Sequence, residues 1–213
     1  MKRTVEIMGW SVGAAVLVSG TFFGGVLFGI KDGRKVERTF MQETVSQETR
    51  LMAWVLKKNP QATIKDFHDF PHVIREIAVE FKIDYKILLA VATKESGLNP
   101  HAVGAAGEIG LMQILPATGT LIAEKIKDTA YEPPMRGRDG KYTSLGSLAD
   151  PRVNLRYGAI YLRWQLNEFD ALPTALRAFN RHPSRAREHR PADRYAEDVA
   201  FHVLALVQTF PKE

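Results

Sequence analysis

One carboxylate of this chain has an apolar setting written into its neighbours. Glu95 follows Leu88, Val91 and Ala92 at spacings of seven, four and three residues, which in an α-helix puts all four on one face. Lys94, the adjacent cation, points off that face. A carboxyl group held among apolar side chains has its ionised form destabilised and its pKa raised, so it stays protonated near neutral pH and can give a proton to a leaving oxygen. Taken alone, a glutamate near a helix end more often swings into solvent, because glutamate is seldom buried without a reason. The surrounding sequence must decide between the two.

Other chemistries are poorly served. Among the 213 residues there is no cysteine, which excludes a thiolate nucleophile, a disulfide framework and a zinc-thiolate cluster. His182 and His189 stand at a spacing that fits no usual metal-ligand pair, so no metal site is expected. The formal net charge of +5 favours an acidic partner, whether nucleic acid, anionic lipid or a wall polymer bearing carboxylates. The run Arg181, Arg185, Arg187, Arg190 and Arg194 lacks interleaved aromatics and includes Glu188 and Asp193. It reads as a solvated face rather than a nucleic-acid site. Glu108 is the nearest alternative carboxylate, and a solvated loop position is its plainer expectation.

The elements that would position Glu95 are helices. Asp84 is a candidate N-cap for a helix from Tyr85 to about Ser96, stopped by Gly97 with Pro100 beyond. Before it, Pro71 opens a helix whose stripe is Val73, Ile74, Ile77, Ala78 and Phe81. Asp150-Pro151 is a cap followed by proline at the first helical position, with Val153, Tyr157, Ile160, Tyr161 and Trp164 as its stripe. The last long helix puts Tyr195, Val199, His202, Val203, Leu206 and Phe210 on one face. Between Asp128 and Leu148, Pro133-Pro134 and Asp139-Gly140 signal a small lobe or hairpin. No strand pattern lasts long enough for a sheet core, so an all-α domain is expected.

The order of short motifs is specific. Glu95-Ser96, Asn99-Pro100, then Gly110-Leu111-Met112-Gln113 and Pro116-Ala117-Thr118 are followed by Asn154, Gly158, Tyr161 and Leu162, by Ala178-Phe179-Asn180, and by Tyr195. Over about two thirds of the chain this closely resembles the soluble lytic transglycosylase (SLT) family of the lysozyme-like superfamily. The resemblance implies a lysozyme-like all-α fold and a peptidoglycan glycan strand as substrate. It makes Glu95 the acid that protonates the oxygen between N-acetylmuramic acid and N-acetylglucosamine. The same residue then acts as the base that takes the proton of the muramyl 6-hydroxyl as a 1,6-anhydro ring closes. The substrate's own N-acetyl carbonyl assists at the anomeric carbon, and no cofactor is required. The resemblance also places Ser96, Gly110, Leu111, Met112, Gln113, Phe179, Asn180 and Tyr195 at the substrate groove. In it, Met112 is either packed on a sugar face or plain core filling, Asn180 braces the cleft, and Tyr195 hydrogen-bonds near Glu95. Tyr161 is expected to be a packed structural residue.

Three positions depart from the family pattern: Gly104 where serine is common, Phe179 in place of tyrosine, and Arg181-His182 where Ala-Gly is common. Two other readings therefore stand beside the lytic one. One is a hydrolytic muramidase of goose-lysozyme type, using Glu108 or an acid between Asp128 and Asp150 as its second carboxyl. The other is a catalytically weak glycan-binding scaffold.

The remaining segments concern the membrane. Ile7 to Ile30 are 24 residues without a charge, enough for a helix to cross a ~30 Å hydrocarbon core. The uncharged run outlasts a signal-peptide core, so residues 1–30 are expected to be an uncleaved anchor. Gly9, Gly13, Gly20 and Gly24 share one face and offer a homodimer contact. Residues 31–66 are expected to be a helical stalk or packing helix, and residues 67–213 the catalytic domain. Lys31, Arg34, Lys35 and Arg38 outnumber Lys2 and Arg3, which favours a cytoplasmic C-terminus. The implied substrate favours an inner-membrane anchor with a periplasmic domain, or alternatively a bacteriophage virion membrane, where that conflict disappears. Wall opening for a secretion apparatus or for phage entry is compatible with either setting.

Overall fold

The computed structural model describes residues 47–181 and 194–210, so the membrane segment, the first part of the stalk and most of the arginine-rich run lie outside the described residues. The chain divides into two compact units, Met1–Val45 and Ser46–Glu213. The second is a helical body. Its helices among the described residues are α1 (47–58), α2 (Ile64–Phe67), α3 (Phe70–Phe81), α4 (Tyr85–Ser96), α5 (Pro116–Ile126), α6 (Pro151–Glu168), α7 (Leu172–Arg181) and α8 (Tyr195–Thr209). Among the described residues no helix is long and apolar enough to cross a membrane.

The caps form where the residue types demand. The Asp84 side chain accepts from the Lys86 amide at 2.8 Å, and Gly97 ends α4 in the left-handed conformation. Asp150 accepts from the amides of Arg152 and Val153, and Pro151 occupies the first turn of α6, where no amide hydrogen is needed. The hairpin expected between Asp128 and Leu148 is a two-stranded antiparallel ribbon, β1 (Met135–Arg136) with β2 (Tyr142–Ser144). Tyr157 of α6 ties the start of this lobe down, its hydroxyl donating to Asp128 at 2.8 Å while its ring stacks on Tyr131.

Two elements differ from the sequence expectation. α6 is buried on more than one stripe: Asn154, Leu155, Gly158, Ala159 and Leu162 are covered as well as Tyr157 and Ile160, because α3, α4, α5 and α7 all pack on it. α5 had no visible signature beyond Pro116. Its buried residues are only Gly119, Ile122 and Ala123, too few to give a periodic pattern.

α1 belongs to the core. Leu51, Trp54 and Val55 are buried with Phe67, Phe70 and Ile74, and the Trp54 indole N–H donates to Thr93 Oγ1 of α4 at 3.2 Å. Asn59 Nδ2 donates to Leu98 O at 2.9 Å. The end of α4 that carries Glu95 is thus braced from the side by the segment the sequence suggested as a stalk.

Candidate active site

α4 delivers Glu95 as its spacing predicts. Leu88, Val91 and Ala92 are fully buried, and the carboxyl one turn on emerges at the floor of a cleft of about 370 Å³. Lys94 points away and pairs with Asp198 of α8, Nζ to Oδ2 at 2.6 Å. α8 packs along α4, which brings Tyr195 at its first position against the acid: the Tyr195 hydroxyl donates to Glu95 Oε1. Burial pushes Glu95 up from 4.5 to about 7, against the lowering effects of the Tyr195 hydrogen bond and of Lys94, while the charge of Glu108 adds to the rise. Tyr195 is raised as well, by its own burial and then by the neighbouring carboxylate. The pair therefore holds a carboxyl that is half protonated near neutral pH and can both give and take a proton.

A second wall comes from the loop between α4 and α5. Ile109 and Ile114 exchange hydrogen bonds at 3.0 Å in both directions, and the Gly110 amide donates to Ala102 O at 2.9 Å, folding 102–114 into a tight knot. Asn154, fully buried on α6, clamps it. Its Nδ2 donates to Ile109 O and Leu148 O and its Oδ1 accepts from the Met112 amide, all at 2.8 Å. Every polar atom of that side chain is satisfied, as burial requires. Two glycines make the close approach possible. A Cβ at Gly110 would overlap Asn154 Nδ2 and Leu148 O, and one at Gly158 would overlap the Met112 side chain.

The residues read from the sequence as a groove separate into two sets. Glu95, Gln113, Phe179 and Asn180 line the cleft, and Tyr195 reaches it through its bond to Glu95. Leu111 and Met112 are fully buried; of the two roles open to Met112, the fold gives it core filling against Gly158 and not a sugar face. Gly110 is a turn residue with φ +81°. Ser96 joins α4 to the loop, Oγ donating to Leu111 O at 2.8 Å. Gln113 sits at φ +47°, an uncommon conformation for a residue with a side chain, and its Nε2 donates to Gly110 O at 3.0 Å and Ala102 O at 3.3 Å.

Sequence reasoning missed several cleft residues. Tyr161, expected only as packing, lines the cleft while tilting against Phe179 at 5.5 Å between ring centroids. Thr118 and Leu115 at the start of α5, and Arg181 at the end of α7, also line it. The Pro116 start was the one available signal for the first two. Glu108, expected in solvent, lines the cleft with Glu95.

Comparison with known proteins identifies the family. The model of the Transglycosylase SLT domain family matches residues 72–200. The chain is 27% identical over 158 residues to the membrane-bound lytic murein transglycosylase E of Buchnera aphidicola subsp. Acyrthosiphon pisum, covering 73% of this chain and 59% of that one. To the membrane-bound lytic murein transglycosylase C of Photorhabdus laumondii subsp. laumondii it is 29% identical over 110 residues, 52% of this chain and 28% of that one. The chain thus spans less than two thirds of the length of these relatives. Among solved structures, an inactive mutant of the lytic transglycosylase Slt from Pseudomonas aeruginosa superposes with a TM-score of 0.51 at 22% identity, covering 64% of this chain and 24% of that one, a likeness of fold. With α4 to α7, the 102–114 knot, the glutamate at the end of α4 and Tyr195 all inside the matched span, the chain belongs to the Transglycosylase SLT domain family.

Proposed function

We propose that this protein is a peptidoglycan lytic transglycosylase. It cleaves the β-1,4 bond between N-acetylmuramic acid and N-acetylglucosamine without water and leaves 1,6-anhydro ends. The observation that carries this reading is the setting of Glu95: a carboxyl lining the cleft, raised to about 7 by burial, with the Tyr195 hydroxyl on Oε1. The names of its relatives, lytic murein transglycosylases, point the same way.

Protonated Glu95 gives its proton to the bridging oxygen as the C1–O bond breaks, and the electron pair leaves with that oxygen. The N-acetyl carbonyl oxygen of the substrate shields C1. Glu95, now a carboxylate, takes the proton of the muramyl 6-hydroxyl, whose oxygen closes on C1. A pKa near the working pH suits a group that must be acid and base in one cycle. Gln113, Phe179, Asn180 and Tyr161 serve as the walls of the glycan groove. Ser96, Gly110, Leu111 and Met112 support it from behind.

Residues 7–30 serve as the membrane anchor and the segment from 31 to about 45 as the connection; the catalytic domain, expected from residue 67, takes in α1 as well, because Leu51, Trp54 and Val55 are part of its core. The glycine face offers a dimer contact. The membrane-bound relatives support anchoring, with the catalytic domain on the wall side of an inner membrane or in a virion membrane. Digestion of purified sacculi tests the reading through the mass of the products. Anhydro-muropeptides are expected from the parent and none from Glu95→Gln. Reducing ends heavier by one water would overturn the lytic assignment, and an active Glu95→Gln would overturn the role of the acid.

A further inference from the structure

The cleft contains a second carboxylate whose place depends on a glycine. Residues 104–108 form a tight turn: the Gly107 amide donates to Gly104 O at 3.0 Å, and the Gly104 amide to Glu108 O at 2.8 Å. The Ala106 amide donates to Glu108 Oε2 at 3.0 Å, which orients the carboxylate. The Tyr142 hydroxyl ties the turn to β2 by donating to Gly107 O at 2.8 Å. A Cβ on residue 104 would overlap Glu108 Oε2 and lie 2.6 Å from Gln113 Oε1. No side chain at 104 is compatible with the carboxylate where it stands. In the position where the family commonly carries a serine, this chain has an empty site filled by the carboxylate of Glu108, in the cleft that also holds Glu95.

We infer that Glu108, given its place by Gly104, is a second catalytic carboxylate that stabilises the positive charge developing on the bound sugar as its glycosidic bond breaks. This rests on the transglycosylase reading above. When Glu95 protonates the bridging oxygen and the C1–O electron pair departs, the deficit spreads over C1 and the ring oxygen. It passes to the N-acetyl nitrogen as the carbonyl oxygen closes on C1. A carboxylate held in place beside the bound sugar stabilises that charge, and a fixed charge needs little reorganisation at the moment of reaction. The 6-hydroxyl oxygen then closes on C1 as its proton passes to Glu95, and the bond from C1 to the carbonyl oxygen breaks with its electron pair returning to the N-acetyl group. Among the described residues, the other groups around Glu95 that titrate or carry charge are Lys94 on its own helix, Tyr195 on α8, Tyr161 on α6 and Arg181 on α7.

The test uses the full chain in detergent with purified sacculi, reading anhydro-muropeptide release across pH. Glu108→Gln is expected to lower kcat at least tenfold, with the same products. It also moves the alkaline limb to lower pH, because removing a negative charge makes Glu95 easier to ionise. Gly104→Ser is expected to push the Glu108 carboxylate aside and to change rate and limb in the same direction, with little further loss when combined with Glu108→Gln. A Glu108→Gln enzyme within twofold of the parent and with an unmoved limb would overturn the inference. An active Glu95→Gln enzyme would instead overturn the transglycosylase reading, whatever residue 108 does.

Discussion

Replacing the acid should make the protein more stable at alkaline pH. Glu95 titrates near 4.5 in an unfolded chain and at about 7 in the cleft. Below 4.5 it is protonated in both states and resembles glutamine. Between 4.5 and 7 the unfolded chain releases the proton while the folded one holds it, so stability falls as pH rises by about 1.4 kcal/mol per pH unit. Above 7 both are ionised and the loss levels off. Over this interval the loss is about 3 kcal/mol. Glu95→Gln removes it, because an amide cannot ionise. The parent and the variant should therefore unfold alike at pH 4 to 4.5 and diverge progressively to pH 8. There the variant should lead by about 3 kcal/mol, or roughly 6–12 °C in Tm for a body of this size. Urea unfolding of both proteins at half-unit pH steps measures the divergence. A difference that stays flat from pH 5 to 8, or a parent more stable at pH 8, would refute the argument that burial raises this carboxyl.

Three further outcomes follow from single contacts. Tyr195→Phe removes the hydroxyl that favours ionised Glu95, so the alkaline limb of the activity profile should rise by about one pH unit, on the scale of a hydrogen bond to a charged group; a fall of the limb would contradict the donor role. Asn154→Ala leaves the Ile109 and Leu148 carbonyls and the Met112 amide without their partner, which should cost about 3–5 kcal/mol in chemical unfolding and weaken activity with it. Trp54→Ala opens the packing of α1 on α4 and removes the indole donor from Thr93 Oγ1, with an expected loss of about 3–5 kcal/mol, and a domain begun at residue 67 should be less stable than one begun at 46 by calorimetry.

What was legible in the sequence was local. Asp84 and Gly97 bracket α4, Asp150-Pro151 opens α6, and the spacing from Leu88 to Glu95 put the acid on the apolar side because these signals act within a few turns of helix. What was not legible depends on partners far along the chain. Met112 reads as groove or core with equal ease until Gly158, 46 residues away, is seen to leave room for it. Glu108 was hidden for another reason: the signal is the missing side chain at Gly104, and an empty space has meaning only when its neighbours are known.

The strain and the chemistry of the site lie close together, which explains the architecture around them. An acid that costs about 3 kcal/mol when ionised is a large liability in a domain whose whole stability is of the order of 5–15 kcal/mol. Leu98 ahead of the knot and Gln113 within it, at φ +64° and +47°, add backbone strain. Such a site persists only if its surroundings over-determine it. Here the surroundings are apolar residues with no room to move and polar groups with no bond left open: Leu111 and Met112 buried under the loop, Asn154 fully satisfied beneath it, and Ser96 tying α4 to Leu111. On the proposed reading the Gly-Leu-Met-Gln motif serves the cleft with most of it out of reach of a ligand: Gln113 alone of the four lines the cleft, while Leu111 and Met112 are fully buried and Gly110 turns the chain.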